Sequence, residues 1–241
     1  MTASANTRSP IEVLSTGAPK GGVSGCSTAF QEQTGREVIV NFVTAPVLRD
    51  QVDAGSAQAD VIVAPVARMD GFEAAGNVMP AIRTVMGSVK AGVVVRKGAA
   101  EPDLSSAKTL KAAILAADSI VYNLATSGQY IAQMMEKLGV ADAVKDKVVT
   151  VPNGSAVMMH LADSPVENEI GFGQLTEIRV LEDRGIAVQL VGALPAAVEN
   201  VTTYCAGIFA KAADPEAAKE LVAFMASAEG QAICRASGLE P

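Results

Sequence analysis

The sequence predicts an α/β fold built as two lobes. Three observations carry this. Short apolar runs alternate with helix-patterned segments along nearly all of the 241 residues, the pattern of mostly parallel sheets. The strand-like runs repeatedly end in small polar loops that open a helix, first in Ile11-Glu12-Val13-Leu14-Ser15-Thr16-Gly17. The chain is also long enough for one large α/β domain or two lobes of ordinary size, and no low-complexity linker interrupts it.

In chain order, Ile11 to Leu14 reads as a buried strand with Ser15 and Thr16 at its carboxyl end. Val23 to Thr34 reads as a helix stopped by Gly35. Glu37 to Val43 is a β-rich run, Val47 to Ala54 a helix, Asp60 to Val63 a third strand, and Ala67 to Ala75 a helix ended by Gly76. Ser88 to Arg96 is a longer strand. Leu104 to Ala117 is a helix opened by hydroxyls at Ser105 and Ser106. Ser119 to Asn123, Lys147 to Val151, Glu169 to Gly173, Ile186 to Val191 and Val201 to Phe209 complete the strands. Helices cover Gln129 to Leu138, the stretch to Ala162, Gln174 to Asp183, and the last helix opened by Asp214 and Pro215. A short helix from Glu229 to Ala236 ends at Gly238. Lobe 1 is expected to hold residues 10–86 and 201–241, and lobe 2 residues 87–200. The two crossings suit a hinge, because two strands can bend while both lobes stay rigid.

Composition narrows the function. Hydrophobic residues make up 49% and charged residues 19%, as in a globular chain. Aromatics are 4% and tryptophan is absent, which leaves no stacking platform for bases or sugars. A net charge of −7 argues against nucleic acid as a partner. A local nest of N–H groups still holds a small anion on an acidic protein. No apolar run reaches the roughly 18 residues of a spanning helix, so no stable membrane insertion is expected. Met1 to Pro10 lacks the apolar stretch of a signal peptide. Met1-Thr2-Ala3-Ser4-Ala5 reads either as what a removed leader leaves behind or as the start of a cytosolic protein.

Four loops share one pattern: Ser15-Thr16-Gly17, Thr44-Ala45-Pro46, Ala125-Thr126-Ser127-Gly128 and Asn153-Gly154-Ser155. Each offers hydroxyls and backbone N–H groups at a helix start, where unpaired donors and the macrodipole favour an anion. Ligands of open α/β sheets bind beyond the carboxyl ends of the strands. Any single loop of this kind is ordinarily a cap or a turn. Its recurrence on both expected lobes supports an oxyanion site.

These residues also carry a resemblance. Val13-Leu14-Ser15-Thr16, Phe42-Val43-Thr44-Ala45-Pro46-Val47-Leu48-Arg49-Asp50-Gln51 and Ala59-Asp60-Val61-Ile62-Val63 resemble the opening of the periplasmic molybdate-binding protein family. The similarity continues through Ala125 to Tyr130, Gly154-Ser155-Ala156-Val157, Glu169-Ile170-Gly171-Phe172 and Ala223-Phe224-Met225, and covers nearly the whole chain. It implies the type II periplasmic-binding-protein fold, with two α/β lobes joined by two hinge strands. It also implies a small anionic ligand in an interlobe cleft, a monomer, an ABC permease as partner and periplasmic localisation. No cofactor and no metal are implied. The ligand-binding positions implied are Ser15, Thr16, Thr44 and Ala45 in lobe 1, and Ser127 and Gly128 in lobe 2, with further N–H contacts near Ala156 and Val157. Where many members have a tyrosine, this chain has Gln174, and its first loop carries Lys20. A lysine supplies a point charge and an amide a directional donor, which suits a carboxylate at least as well as molybdate. Some relatives of the family act on small carboxylates, including an aconitate isomerase. The expected function is therefore capture of a carboxylate or molybdate-like oxyanion for an ABC importer. The alternative is a polycarboxylate isomerase on the same scaffold, for which Lys20, Tyr122 and Glu177 are the nameable proton-transfer groups.

The remaining reactive residues have plain readings. His160, the one histidine, lies among apolar neighbours and reads as packed or on the surface rather than as a general base. One histidine and no cysteine cluster make a zinc site improbable. Arg68 and Arg83 read as solvated, and the methionine pairs as core filler. Cys26, Cys205 and Cys234 show no CxxC or metal spacing. They read as buried thiols. A Cys205–Cys234 bridge is the sharper alternative and requires an oxidising compartment.

Overall fold

In the computed structural model residues 9–241 are described. The segment Met1-Thr2-Ala3-Ser4-Ala5 lies outside the described residues. The chain runs β1 (Ile11–Thr16), α1 (Lys20–Thr34), β2 (Val38–Val43), α2 (Ala45–Asp53), β3 (Val61–Pro65), α3 (Val66–Ala74) and β4 (Val78–Arg96). It continues as α4 (Ala107–Ala116), β5 (Ser119–Asn123), α5 (Thr126–Lys137), α6 (Ala141–Val144), β6 (Val148–Val151), α7 (Gly154–Asp163), β7 (Glu169–Gln174) and α8 (Leu175–Asp183). It closes with β8 (Val188–Ala193), β9 (Val201–Phe209), α9 (Pro215–Ala226) and α10 (Ala228–Ala236).

The chain divides into two compact units. One ends at Ser88 and resumes at Thr202–Pro241; the other is Val89–Val201. The chain crosses between them within β4, at 88/89, and at the start of β9, at 201/202.

In the first unit β1 lies between β2 and β3 and is parallel to both. Strand β9 adds to β3 antiparallel. Leu48, Val52, Ile62, Met69, Phe72 and Phe209 are among the apolar side chains packed in its core. In the second unit β5 lies between β6 and β7, parallel to both, and β4 runs antiparallel to β7 and β8. One cluster around Leu110, Ile131 and Phe172 and another around Val157, Met158 and Ile178 bury this sheet.

Two elements differ from expectation for identifiable reasons. Helix α1 begins at Lys20, so Gly21 and Gly22 are helical rather than loop. Glycine is a poor helix former, but here its missing side chain is what packing needs. A Cβ on Gly21 would lie 2.9 Å from Ser237 Cβ, one on Gly22 2.8 Å from Leu239 Cδ1, and one on Gly25 2.6 Å from Ile233 Cγ2. Strand β4 spans 19 residues, extending well upstream of Ser88. Ala81 (φ 63°) and Gly87 (φ 133°) break its regularity, and Pro80 and Gly87 hide it from a pattern search.

Asp60 holds the first unit's layers in register. It is 3% exposed. Its Oδ2 accepts from the N–H of Glu12 at 2.9 Å, and its Oδ1 accepts from the N–H groups of Ala213 (2.7 Å) and Asp214 (3.2 Å). Asp214 in turn accepts from the N–H of Ala217 at the start of α9 and from buried Arg36 at 2.7 Å. The Ala217 N–H, then Arg36, hold its carboxyl below the ordinary carboxylate value. A folded-state pKa below the unfolded one gives stability that is present above the unfolded value and is lost as pH falls through the folded one. Asp214→Asn is therefore expected to lower the urea midpoint relative to the parent near pH 7. The gap should narrow below about pH 4. A gap independent of pH would show that the charge is not what matters.

The cysteines are buried thiols. A Cys205–Cys234 bridge is not formed: Cys205 packs in the core with Phe209 and Met69, whereas Cys234 Sγ faces Cys26 Sγ.

Candidate functional site

In the first unit three parallel strands end on one edge and each passes directly into a helix. β1 ends at Thr16 in register with Val43 of β2, and Ser15 is in register with Val63 of β3. The helices that follow have Pro19, Thr44 and Pro65 at their N-caps, and no side chain caps any of the three. By contrast Ser106, Asn153, Asp214 and Ser227 cap α4, α7, α9 and α10 through side-chain oxygens. Uncapped helix starts leave their first N–H donors to water or a ligand, and the macrodipole there favours negative charge.

The structure brings four of the expected residues of this unit together. Ser15, Thr16, Thr44 and Ala45 lie at the paired ends of β1 and β2. Ser15 is fully buried, and its hydroxyl donates to the Thr16 carbonyl at 2.9 Å. Thr16 is 4% exposed, and its Oγ1 is buried without a hydrogen-bond partner. A buried hydroxyl left unmatched costs free energy and calls for an explanation. Lys20 opens α1, and its ammonium lies 5.0 Å from the centroid of the Phe42 ring, a cation–π contact.

The second unit repeats the arrangement. β5, β6 and β7 are parallel, and their carboxyl ends lead into α5, α7 and α8. Helices α5 and α8 lack side-chain caps. Asn123, 1% exposed at the end of β5, organises the first of these loops. Its Oδ1 accepts from the Ala125 N–H at 2.8 Å, and its Nδ2 donates to Ser127 Oγ at 3.1 Å. Ser127 is therefore oriented by a neighbour that the sequence reading treated only as a strand end. Gly128 is required sterically: a Cβ there would overlap the Asn123 carbonyl. Gln174, 4% exposed, ends β7, and its Oε1 is buried without a partner. The expected N–H contact at Ala156 is not available, because that N–H already donates to Asn153 Oδ1 at 3.0 Å.

Of the other reactive groups, Tyr122 lies one residue before the end of β5 and Glu177 in the first turn of α8, both at the second unit's strand ends. Burial holds the Tyr122 phenol above its usual value, which leaves it protonated at neutral pH. The Glu177 carboxylate occupies the space that a side chain at Gly154 would fill. Arg83 is ion-paired with Asp70 and Glu73. His160 Nε2 lies 3.1 Å from Oε1 of buried Glu169, the first residue of β7 and so at the strand end opposite Gln174. A cavity of about 570 Å³ opens at that same opposite end, lined by Arg96, Lys97, Glu167 and Glu169 among others. Its mixed charge suits an oxyanion less well than the uncapped helix starts do. Among the described residues no group of three or more His, Cys, Asp or Glu is placed to hold a metal ion. No helix among them is long and apolar enough to cross a membrane.

Two α/β units, each with a parallel strand trio ending in helix starts and linked through β4 and β9, define a type II periplasmic-binding-protein fold. The chain belongs to the bacterial extracellular solute-binding protein family, whose model matches residues 11–240. It is 26% identical over 240 residues to an aconitate isomerase from a Pseudomonas species, covering 96% of this chain and 87% of that protein. Among solved structures it is similar to the sulfate-binding protein SubI from Mycobacterium tuberculosis (TM-score 0.78, 16% identity, 97% of this chain and 87% of that one). It is likewise similar to the periplasmic molybdate-binding protein of Azotobacter vinelandii (TM-score 0.76, 18% identity, 96% of this chain and 99% of that one). At these identities the structural likeness is one of fold.

Proposed function

We propose that this protein captures a small carboxylate oxyanion and presents it, as a periplasmic monomer, to an ABC importer. The observation that carries this is Thr16: a hydroxyl buried without a partner at the meeting point of uncapped helix starts. The Lys20 N–H already donates to the Gly17 carbonyl at 3.0 Å, so an oxyanion there would accept from Thr16 Oγ1 and from the remaining N–H groups of the first turns of α1 and α2, replacing its hydration with fixed neutral dipoles. Thr44 and Ala45 belong to the same donor set. Ser127, Gly128 and Gln174 are the second unit's proposed contributions, and Lys20 adds positive field from its seat on Phe42.

Gln174 favours a carboxylate over molybdate. A fully deprotonated tetrahedral oxyanion has no proton to offer the unpartnered Gln174 Oε1. A carboxylic acid that keeps one proton or carries a hydroxyl can offer one. The test is a thermal-shift screen against molybdate, tungstate, sulfate and a panel of di- and tricarboxylates. A ligand at a hundredfold excess over its Kd adds roughly 2.7 kcal/mol of stability, or about 5–10 °C for a chain of this size. The largest shift is expected from a carboxylate. A larger shift with molybdate would reject that class.

A second reading is favoured by the 26% identity to an aconitate isomerase. Isomerising such an acid by proton transfer moves a proton from carbon, so it needs a base beside the bound acid. Glu177, a carboxylate in the first turn of α8 beside Gly154, is the proposed base. Proton NMR of cis- and trans-aconitate incubated with the protein separates the two readings: interconversion supports the enzyme, and binding without turnover supports capture.

A further inference from the structure

We propose that Cys26 and Cys234 form a disulfide in an oxidising medium, stapling the C-terminal helix α10 onto α1. The two residues are 208 positions apart, both are fully buried, and their sulfurs lie 4.0 Å from each other. The contact is built by the sequence around it. Gly21, Gly22 and Gly25 of α1 face Ser237, Leu239 and Ile233, and a Cβ on any of the three would stand under 3 Å from its neighbour. The absence of side chains lets the two helices approach closely, and a Cβ on Gly22 would lie 3.3 Å from Cys234 Sγ itself. Close backbone approach is the geometric requirement for a disulfide, whose bond is about 2.05 Å. Forming the bond shortens the present sulfur separation of 4.0 Å by about 2 Å.

Either thiolate can begin the exchange, and the steps are written for Cys234. With an external disulfide such as oxidised glutathione as oxidant, the Cys234 sulfur attacks one glutathione sulfur and expels the other as thiolate. Cys26 then attacks the Cys234 sulfur of the mixed disulfide, expels the second glutathione thiolate and gives up its proton. Two protein thiols are oxidised, one external disulfide is reduced to two thiols, and the balance closes. Because both sulfurs are buried in the folded chain, the exchange takes place as the chain folds, before α10 seals the contact. The seated tail beyond α10 exchanges two hydrogen bonds with Ser88, where β4 leaves the first unit (Glu240 N to Ser88 O at 2.9 Å, Ser88 N to Glu240 O at 2.6 Å). The staple therefore also fixes the C-terminal anchor of that crossing. The inference is independent of which solute is bound.

The test is to refold the reduced, unfolded protein in a mixture of reduced and oxidised glutathione and then alkylate it under denaturing conditions. We expect the intact mass to be lighter by two hydrogens before alkylation. A non-reducing peptide map should join Cys26 to Cys234, with Cys205 alkylated. We expect the melting temperature to rise on the order of 5–10 °C over the reduced form, reversed by dithiothreitol, because the bridge closes a loop of nearly the whole chain. Cys205→Ser should keep the bridge and Cys26→Ser should lose it. If Cys26→Ser does not fold, the map of the parent decides alone. Full alkylation of both residues in most molecules, or a bridge involving Cys205, overturns the proposal.

Discussion

Asp60→Ala is expected to destabilise the protein by about 3–5 kcal/mol. The side chain accepts from three backbone N–H groups, those of Glu12, Ala213 and Asp214. Alanine leaves all three without an acceptor in a site where the carboxylate is 3% exposed. Hydrogen bonds to a charged group contribute about 1.5–3 kcal/mol each, and deleting one partner leaves the other unsatisfied. The loss is less than three times the single value because water can reach donors that are only partly buried. Asp60→Asn retains one carbonyl oxygen and should lose less. Urea unfolding of the three proteins checks the order. A loss under about 1 kcal/mol for alanine would mean that these N–H groups find other partners.

The second large effect is on binding. Thr16→Val is expected to weaken the preferred carboxylate by about ten- to a hundredfold, the worth of one donor to a charged acceptor. The same substitution should leave the ligand-free protein unchanged or slightly more stable. Valine matches threonine in shape, and the hydroxyl that it removes is buried without a partner. The two responses have opposite signs, so calorimetric titration and a melt without ligand together identify the role. Reduced stability with unchanged affinity would make Thr16 a turn residue and nothing more.

Much of this was legible in the sequence. Strand ends at Ser15-Thr16 and Asn123, the glycine stop at Gly35 (φ 69°), and the Asp214–Pro215 opening of α9 are local features, and local features leave local signals. The residues that were misread depend on partners distant in sequence. Gly21 and Gly22 read as loop because the residues that require them glycine, Ser237 and Leu239, lie at the other end of the chain. Asp60 reads as part of a family motif, yet its acceptors' work is done for Ala213 and Asp214. The pairing of Cys234 with Cys26 rather than Cys205 follows from the same α1–α10 packing. In the site, sequence identifies which loops carry hydroxyls. It does not reveal that Asn123 orients Ser127, that Asn153 already occupies the Ala156 N–H, or that Lys20 lies on Phe42. Asn123 had one usable signal: an amide at a strand end, two residues before a helix cap, is a frequent organiser of such turns.

The central claim is that the carboxyl ends of β1 and β2 bind the anion. The most direct measurement is the change in backbone amide shifts, by two-dimensional nitrogen–proton NMR, as the carboxylate with the largest thermal shift is titrated into the protein. The account predicts that the amides of Thr16, Gly17, Thr44 and Ala45 move most within the first unit and saturate together at the calorimetric affinity. Saturating binding that leaves these four amides in place, with the perturbations gathered around Glu169 and Arg96 instead, would contradict it.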